Sequence, residues 1–214
     1  AMGQFASSAN LLELIADTKR NRQGIMPELM MFDCHACHSP MSKKDWSKDL
    51  ARSPGQARIN NSSLIMVQAI VRAAAPQHSS DIAKLVNQLH IASTSPAANF
   101  AEVERAANVL HAQLNTVRKV VATVPFNEQV LEKILKDLVN MAANNQYADF
   151  AGAEQAYMSI SSVANGLARK GNSRIAQTVN SKMDRLLKLL SNDEAYDREA
   201  FQSELLALKA AVGA

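Results

Sequence analysis

Apolar residues recur at three- and four-residue intervals along most of this chain, the period of one face of an α-helix and not the alternation of a strand. Leu11, Leu12 and Ile15 mark a first amphipathic helix over about Phe5–Arg22, with Ser7 or Ser8 as its cap and Gly24 as its end. Pro27 then opens a short helical turn, Glu28-Leu29-Met30-Met31-Phe32. Pro40 stops that helix, and Ser42 begins another short one with Asp45 as a capping-box-like partner. Residues 52–61 carry Pro54-Gly55 and Asn60-Asn61 and read as a loop.

From Ser62 onward the helical period is continuous. It predicts helices over about Ser62–Ala75, Ser80–Ala92 with Ser79 or Ser80 as cap, and Asn99–Thr123. A further four are predicted: one capped by Asn127 and running to about Asn144, one over Asp149–Arg169, one capped by Ser173 and running to Leu190, and one over Asp197–Val212. Pro76, Pro96, Pro125, Gly171 and the Asn192-Asp193 turn separate them. The connections are short, which favours antiparallel neighbours.

Composition agrees with close helix packing. Of 214 residues, 47% are hydrophobic and only 5% aromatic, so a large core must be built from Ala, Leu and Val. The balance of 23 basic against 20 acidic residues, with no basic run interleaved with aromatics, argues against nucleic acid as a partner. No apolar run approaches the roughly 18 residues that span a bilayer. The start, Ala1-Met2-Gly3-Gln4, lacks the charged and apolar regions of a signal peptide and reads as the scar of a shortened chain.

One stretch carries chemistry: Phe32-Asp33-Cys34-His35-Ala36-Cys37-His38-Ser39-Pro40. It contains C-x-x-C-H, the attachment signature of c-type haem. Thiols at Cys34 and Cys37 stand one helical turn apart on one face, a spacing that suits thioether bonds to the two vinyl groups of one porphyrin. His38 follows at once and is placed to ligate the iron through an imidazole nitrogen. Three other readings compete. A thioredoxin-like redox pair belongs to a βαβ context, and no convincing strand surrounds this motif. Zinc on Cys34, Cys37 and His35 or His38 wants a second ligand pair, and no further cysteine exists. A Cys34–Cys37 disulfide would close too small a loop to stabilise much.

The expected fold is therefore all-α: short helices around a single c-type haem motif, followed by an antiparallel helical bundle or helical-hairpin array. The expected division is a haem c-binding segment over 1–76 and a helical bundle over 77–214. Trp46, the only tryptophan, is a candidate to pack against the porphyrin, and Arg52 or Arg58 is a candidate partner for a haem propionate. A six-coordinate iron also needs a second axial ligand. His78, His90, His111, Met30, Met31, Met41 and Met66 are the choices, with His90 or His111 singled out because both fall on predicted helices beside apolar neighbours. Lys133 to Lys136 and Lys182 to Lys188 read as solvated helix faces.

Pro27-Glu28-Leu29, Phe32, Cys34, Ala36-Cys37-His38, Met41, Trp46 and Pro54-Gly55 together resemble the last haem-binding segment of multihaem cytochromes c related to the cytochrome c554 family. The resemblance covers about residues 5–75. It implies one covalent haem c on Cys34 and Cys37, with His38 as proximal ligand. It also implies electron transfer in the periplasm or another extracytoplasmic place, with redox proteins or neighbouring haem domains as partners. This chain has one such motif, and Ser39 stands where many relatives place a further histidine, so it is similar to a C-terminal domain of a longer cytochrome. The expected function is that of an electron carrier and not an enzyme, because no acid–base constellation accompanies the motif. The alternative is a helical protein-interaction module or a haem-based sensor of small ligands.

Overall fold

A computed structural model describes residues 1–17, 19, 59–94, 100–144, 146–147 and 149–213. The described residues form eight α-helices and no strand. They are α1 (Met2–Ala16), α2 (Ser62–Ala74), α3 (Ser79–Thr94), α4 (Phe100–Thr123), α5 (Glu128–Ala143), α6 (Phe150–Arg169), α7 (Ser173–Leu189) and α8 (Arg198–Val212). A 3-10 turn over Pro76–His78 joins α2 to α3, with proline at its first position, where a missing N–H costs nothing.

The helices pack as two quartets. In the first, α1 packs on α4, α4 on α3, α3 on α2 and α2 on α1. In the second, α5 packs on α6, α6 on α7, α7 on α8 and α8 back on α5. Helix α2 joins the quartets by packing on α5 and α6 as well. Its sequence explains this place: Leu64, Ile65, Met66, Val67, Ala69, Ile70 and Val71 leave almost no polar face, and no residue of α2 is exposed. A helix that is apolar all round must be covered all round. One continuous core results, running from Phe5 and Leu12 of α1 through α2 to Phe201, Leu205 and Leu208 of α8.

The second quartet is an antiparallel up-and-down bundle, as the bonds at its two ends show. Asn172, at the start of α7, donates its amide to Glu128 and Glu132 at the start of α5, at 2.8 Å each. At the other end the Tyr196 hydroxyl, just before α8, donates to the Tyr147 carbonyl between α5 and α6, at 2.9 Å. Buried positions step by three and four along each helix, as in Ala153, Ala156, Ile160, Val163 and Leu167 of α6. The glycine ends are also conformational: Gly171 has φ 97° and Gly213 φ 68°, left-handed values that favour glycine after a helix.

Several helix ends differ from the expectation. Helix α1 begins at Met2 and ends at Ala16, where a terminus near Arg22 was predicted. Asp17 turns extended, and its carboxylate accepts the Lys19 amide at 3.0 Å, a local bond that competes with the helical ladder. Ser8 does not cap: it lies inside α1, fully buried, with its hydroxyl 3.0 Å from that of Ser63 on α2. Ser79 is the first residue of α3, and its hydroxyl donates back to the Pro76 carbonyl at 2.8 Å. The cap of α7 is Asn172 and not Ser173, since the Asn172 side chain accepts from the Ile175 amide. Lys133, Lys136 and Lys188 are exposed as expected, while Lys182 is half-buried and Met183 and Leu186 between them enter the core.

Candidate functional site

Cys34, Cys37 and His38 lie outside the described residues, as do His35, Met30, Met31, Met41, Trp46, Arg52 and Arg58. What the fold shows is how the chain enters and leaves that stretch. Helix α1 ends at Ala16 with Asp17 extended, and Ile59 lies in the core three residues ahead of α2. Helices α1 and α2 are neighbours, joined by the Ser8–Ser63 bond, so in sequence the motif lies between two adjacent core helices. Asp17 is nine residues beyond Ser8, about 13 Å further along a helix.

The described axial candidates fall in different settings. Met66 sits at the centre of α2 with 1% exposure, packed on all sides by the core. His78 ends the 3-10 turn. His90 lies on α3, half-buried, and its carbonyl accepts the hydroxyls of Ser93 and Thr94 at 3.0 and 2.8 Å. His111 lies on α4 against α1: its Nε2 is 3.2 Å from Glu13 Oε1 and 3.2 Å from Asn115 Nδ2. A carboxylate can only accept, so the Glu13 contact puts the ring proton on Nε2. The Asn115 amide oxygen then serves Nε2–H better than its nitrogen does, a 180° turn of the amide that leaves the heavy-atom positions unchanged. The structure thus does not bring His90 and His111 to one station, and it ties His111 to the helix that leads into the motif. Glu13 carried no signal in sequence, because its partner comes from a helix nearly a hundred residues away.

Two further polar clusters were equally hidden. Arg72 of α2 meets Asp137 of α5 at 2.6 Å across the junction of the quartets. Burial pushes the Asp137 carboxyl above its ordinary range, and the Arg72 hydrogen bond and charge pull it back down in part. Tyr147 is fully buried, donates its hydroxyl to the Leu138 carbonyl at 2.7 Å, and is pushed upward by burial first and by the charge of Asp137 second. Tyr196 is likewise raised, by burial and then by Asp149. These phenols hold the bundle end together: the Tyr196 ring meets Phe150 and Phe201 edge-on at 5.9 Å each, and Tyr147 meets Phe201 at 6.4 Å. Among the described residues no group of three or more His, Cys, Asp or Glu side chains is arranged to hold a metal ion, and no helix is long and apolar enough to cross a membrane.

No protein-family model matches this chain, and the curated proteins and solved structures hold no significant match to it.

Proposed function

We propose that this chain is a single-haem c-type cytochrome that carries electrons outside the cytoplasm, as one domain of a longer cytochrome or beside separate redox proteins. The observation that carries the reading is the run Cys34-x-x-Cys37-His38, whose donor set, two thiols a turn apart and an adjoining imidazole, is what covalent haem c requires. Each thiol adds across a vinyl double bond of the porphyrin, sulfur to one carbon and hydrogen to the other, so attachment consumes no further reagent. Such a haem would supply one-electron chemistry between a reduced and an oxidised partner protein, with Cys34, Cys37 and His38 holding it and the chain setting its potential by ligand identity and burial. The helical setting supports this over a thioredoxin-like reading, since the described residues supply helices and no βαβ unit.

The test is a pyridine haemochrome spectrum with intact mass, on protein exported to a compartment able to attach haem c. A c-type spectrum, a mass increased by one haem, and loss of both in Cys34→Ala/Cys37→Ala are expected. Unmodified mass in such material overturns the reading.

A second reading rests on α5–α8. That quartet contains no Cys, His or Trp, yet it is closed, capped and firmly cored. It would then serve as a helical interaction module, with the haem as a sensor or structural group. A sixth iron position open to carbon monoxide or cyanide in the wild-type protein would favour this over the carrier.

A further inference from the structure

We propose that Glu13, His111 and Asn115 form a binding site for a divalent transition-metal ion, with Zn²⁺ as the ion its donors suit. The site lies wholly on α1 and α4, and it does not depend on the haem reading.

Three donors converge there. His111 Nε2 stands 3.2 Å from Glu13 Oε1 and 3.2 Å from the Asn115 amide. With that amide turned so that its oxygen faces the ring, one N–H is shared between two oxygens. A cation in the place of the shared hydrogen meets an imidazole nitrogen, a carboxylate oxygen and an amide oxygen. Zinc holds nitrogen and oxygen donors at about 2.0–2.2 Å, so neighbouring donors of a tetrahedral zinc lie about 3.3 Å apart. The two distances in the structure match two edges of such a tetrahedron. On binding, the neutral ring keeps its one proton, which moves from Nε2 to Nδ1, and the lone pair freed on Nε2 goes to the metal.

The helices hold these donors without help from a loop. His111 and Asn115 are four residues apart, on one face of α4. Their neighbours Leu110 and Leu114 are buried, which fixes the rotation of α4 about its axis. Leu12 and Ile15 fix the rotation of α1 in the same way, with Glu13 between them. Side-chain exposure is 24% for His111 and 63% for Glu13, so an ion and its waters reach the group from solvent. The donor set also selects the ion. An imidazole with oxygens suits zinc, whereas magnesium and calcium prefer oxygens alone. Only two of the three donors are histidine or carboxylate, so the amide completes the protein's share and water takes the fourth position. Glu13 and His111 are far apart in the unfolded chain, so the ion binds the folded state and stabilises α1 on α4.

The test uses the full chain carrying Cys34→Ala and Cys37→Ala, so that thiols do not compete for the probe, which is Zn²⁺ itself. Calorimetric titration gives the affinity, the ring-nitrogen signals of the histidines give the ligand, and thermal unfolding gives the linkage. The His111 Nε2 signal should move to the ligated range with Nδ1 protonated, and the unfolding midpoint should rise with Zn²⁺. His111→Ala should lose that rise and weaken binding by about tenfold or more, no less than loss of an outer-shell partner does. Glu13→Gln should weaken binding, and Asn115→Asp should tighten it by adding a second carboxylate, a gain that a merely structural contact would not produce. Should His111→Ala fold poorly by circular dichroism, Glu13→Gln and Asn115→Asp decide by the opposite directions of their effects. Zn²⁺ that leaves the His111 ring signals unmoved, as it would if held only by other histidines, overturns the site. So does equal binding in a folded His111→Ala, or the absence of any gain in Asn115→Asp.

Discussion

The two quartets are built from the same small apolar residues but specified in different ways. Every helix of the second quartet opens on an Asn or Asp whose side chain accepts an amide three residues on: Asn127 from Val130, Asp149 from Gly152, Asn172 from Ile175 and Asp197 from Ala200. Consecutive helices are nearest neighbours, and each end is tied by a short-range turn. In the first quartet neither α1 nor α2 has a side-chain cap. There α1 finds α4 across a large span of sequence, and α2 is held by burial on every side. The first quartet thus takes its order from tertiary packing, whereas the other takes much of its order from local rules. Local encoding suits a scaffold.

The comparison can be broken most directly at α2, since that helix serves both quartets. Ile65→Ala removes a side chain of 1% exposure and should cost about 2–5 kcal/mol. Urea unfolding followed by circular dichroism should show one cooperative transition shifted as a whole. Loss of the first quartet alone, with α5–α8 unfolding at the old midpoint, would show that α2 does not join them.

Arg72→Met comes next. It strands Asp137 half-buried without its cation and should cost roughly 1–3 kcal/mol, at the lower end because both side chains reach solvent. The Asp137 carboxyl is raised in the folded protein, so the unfolded chain holds fewer protons above the ordinary value of 3.8, and stability falls as pH rises through that range. Removing Arg72 should steepen that fall. Asp137→Asn should abolish it and cost less than Arg72→Met, because the charge it leaves unpaired, Arg72, is the more exposed of the two.

Capping sharpens the contrast between quartets. Asn127→Ala and Asp197→Ala should each cost about 0.5–2 kcal/mol, measured by thermal or urea unfolding. Asn172→Ala should lie at the upper end, since it also loses its bonds to Glu128 and Glu132. If all three cost under about 0.3 kcal/mol, the local specification of α5–α8 is refuted.

The phenols give an alkaline signature. Tyr147 and Tyr196 stay protonated in the fold well above the ordinary 10.0, while the unfolded chain ionises there. Folded proteins that bind more protons lose stability as pH rises, so the tyrosine contribution should be level below about pH 10 and then fall by up to about 1.4 kcal/mol per pH unit for each tyrosine. Tyr147→Phe should remove one share of that slope and cost about 1 kcal/mol at neutral pH. At the small end, Lys133→Gln on the exposed face of α5 should change stability by less than about 0.5 kcal/mol.

Much of the helical plan was legible because period, proline and Asx residues are local signals. The bounds of α5, α6 and α8 follow their sequence within a residue or so, and Asn127 reads directly as a cap. Serines misled at Ser8, Ser79 and Ser173, because a hydroxyl serves a neighbouring helix or a carbonyl as readily as an amide, and an Asn beside it caps more strongly. The end of α1 was misplaced because no Pro or Gly stands between Asp17 and Gly24 to mark a stop, while the Asp17 side chain competes with the helix locally.

The sequence by itself determined that the described residues are all-helical and where most of their helices begin and end, and it holds one C-x-x-C-H run, Cys34 to His38. Those features depend on residues within a few positions of one another. Only the tertiary structure decided that the helices close into two quartets around α2, that Arg72 finds Asp137, and that Glu13 holds His111. Helix periodicity says which face is buried but not against which partner, and that choice is made by shape and volume summed over residues far apart in the chain.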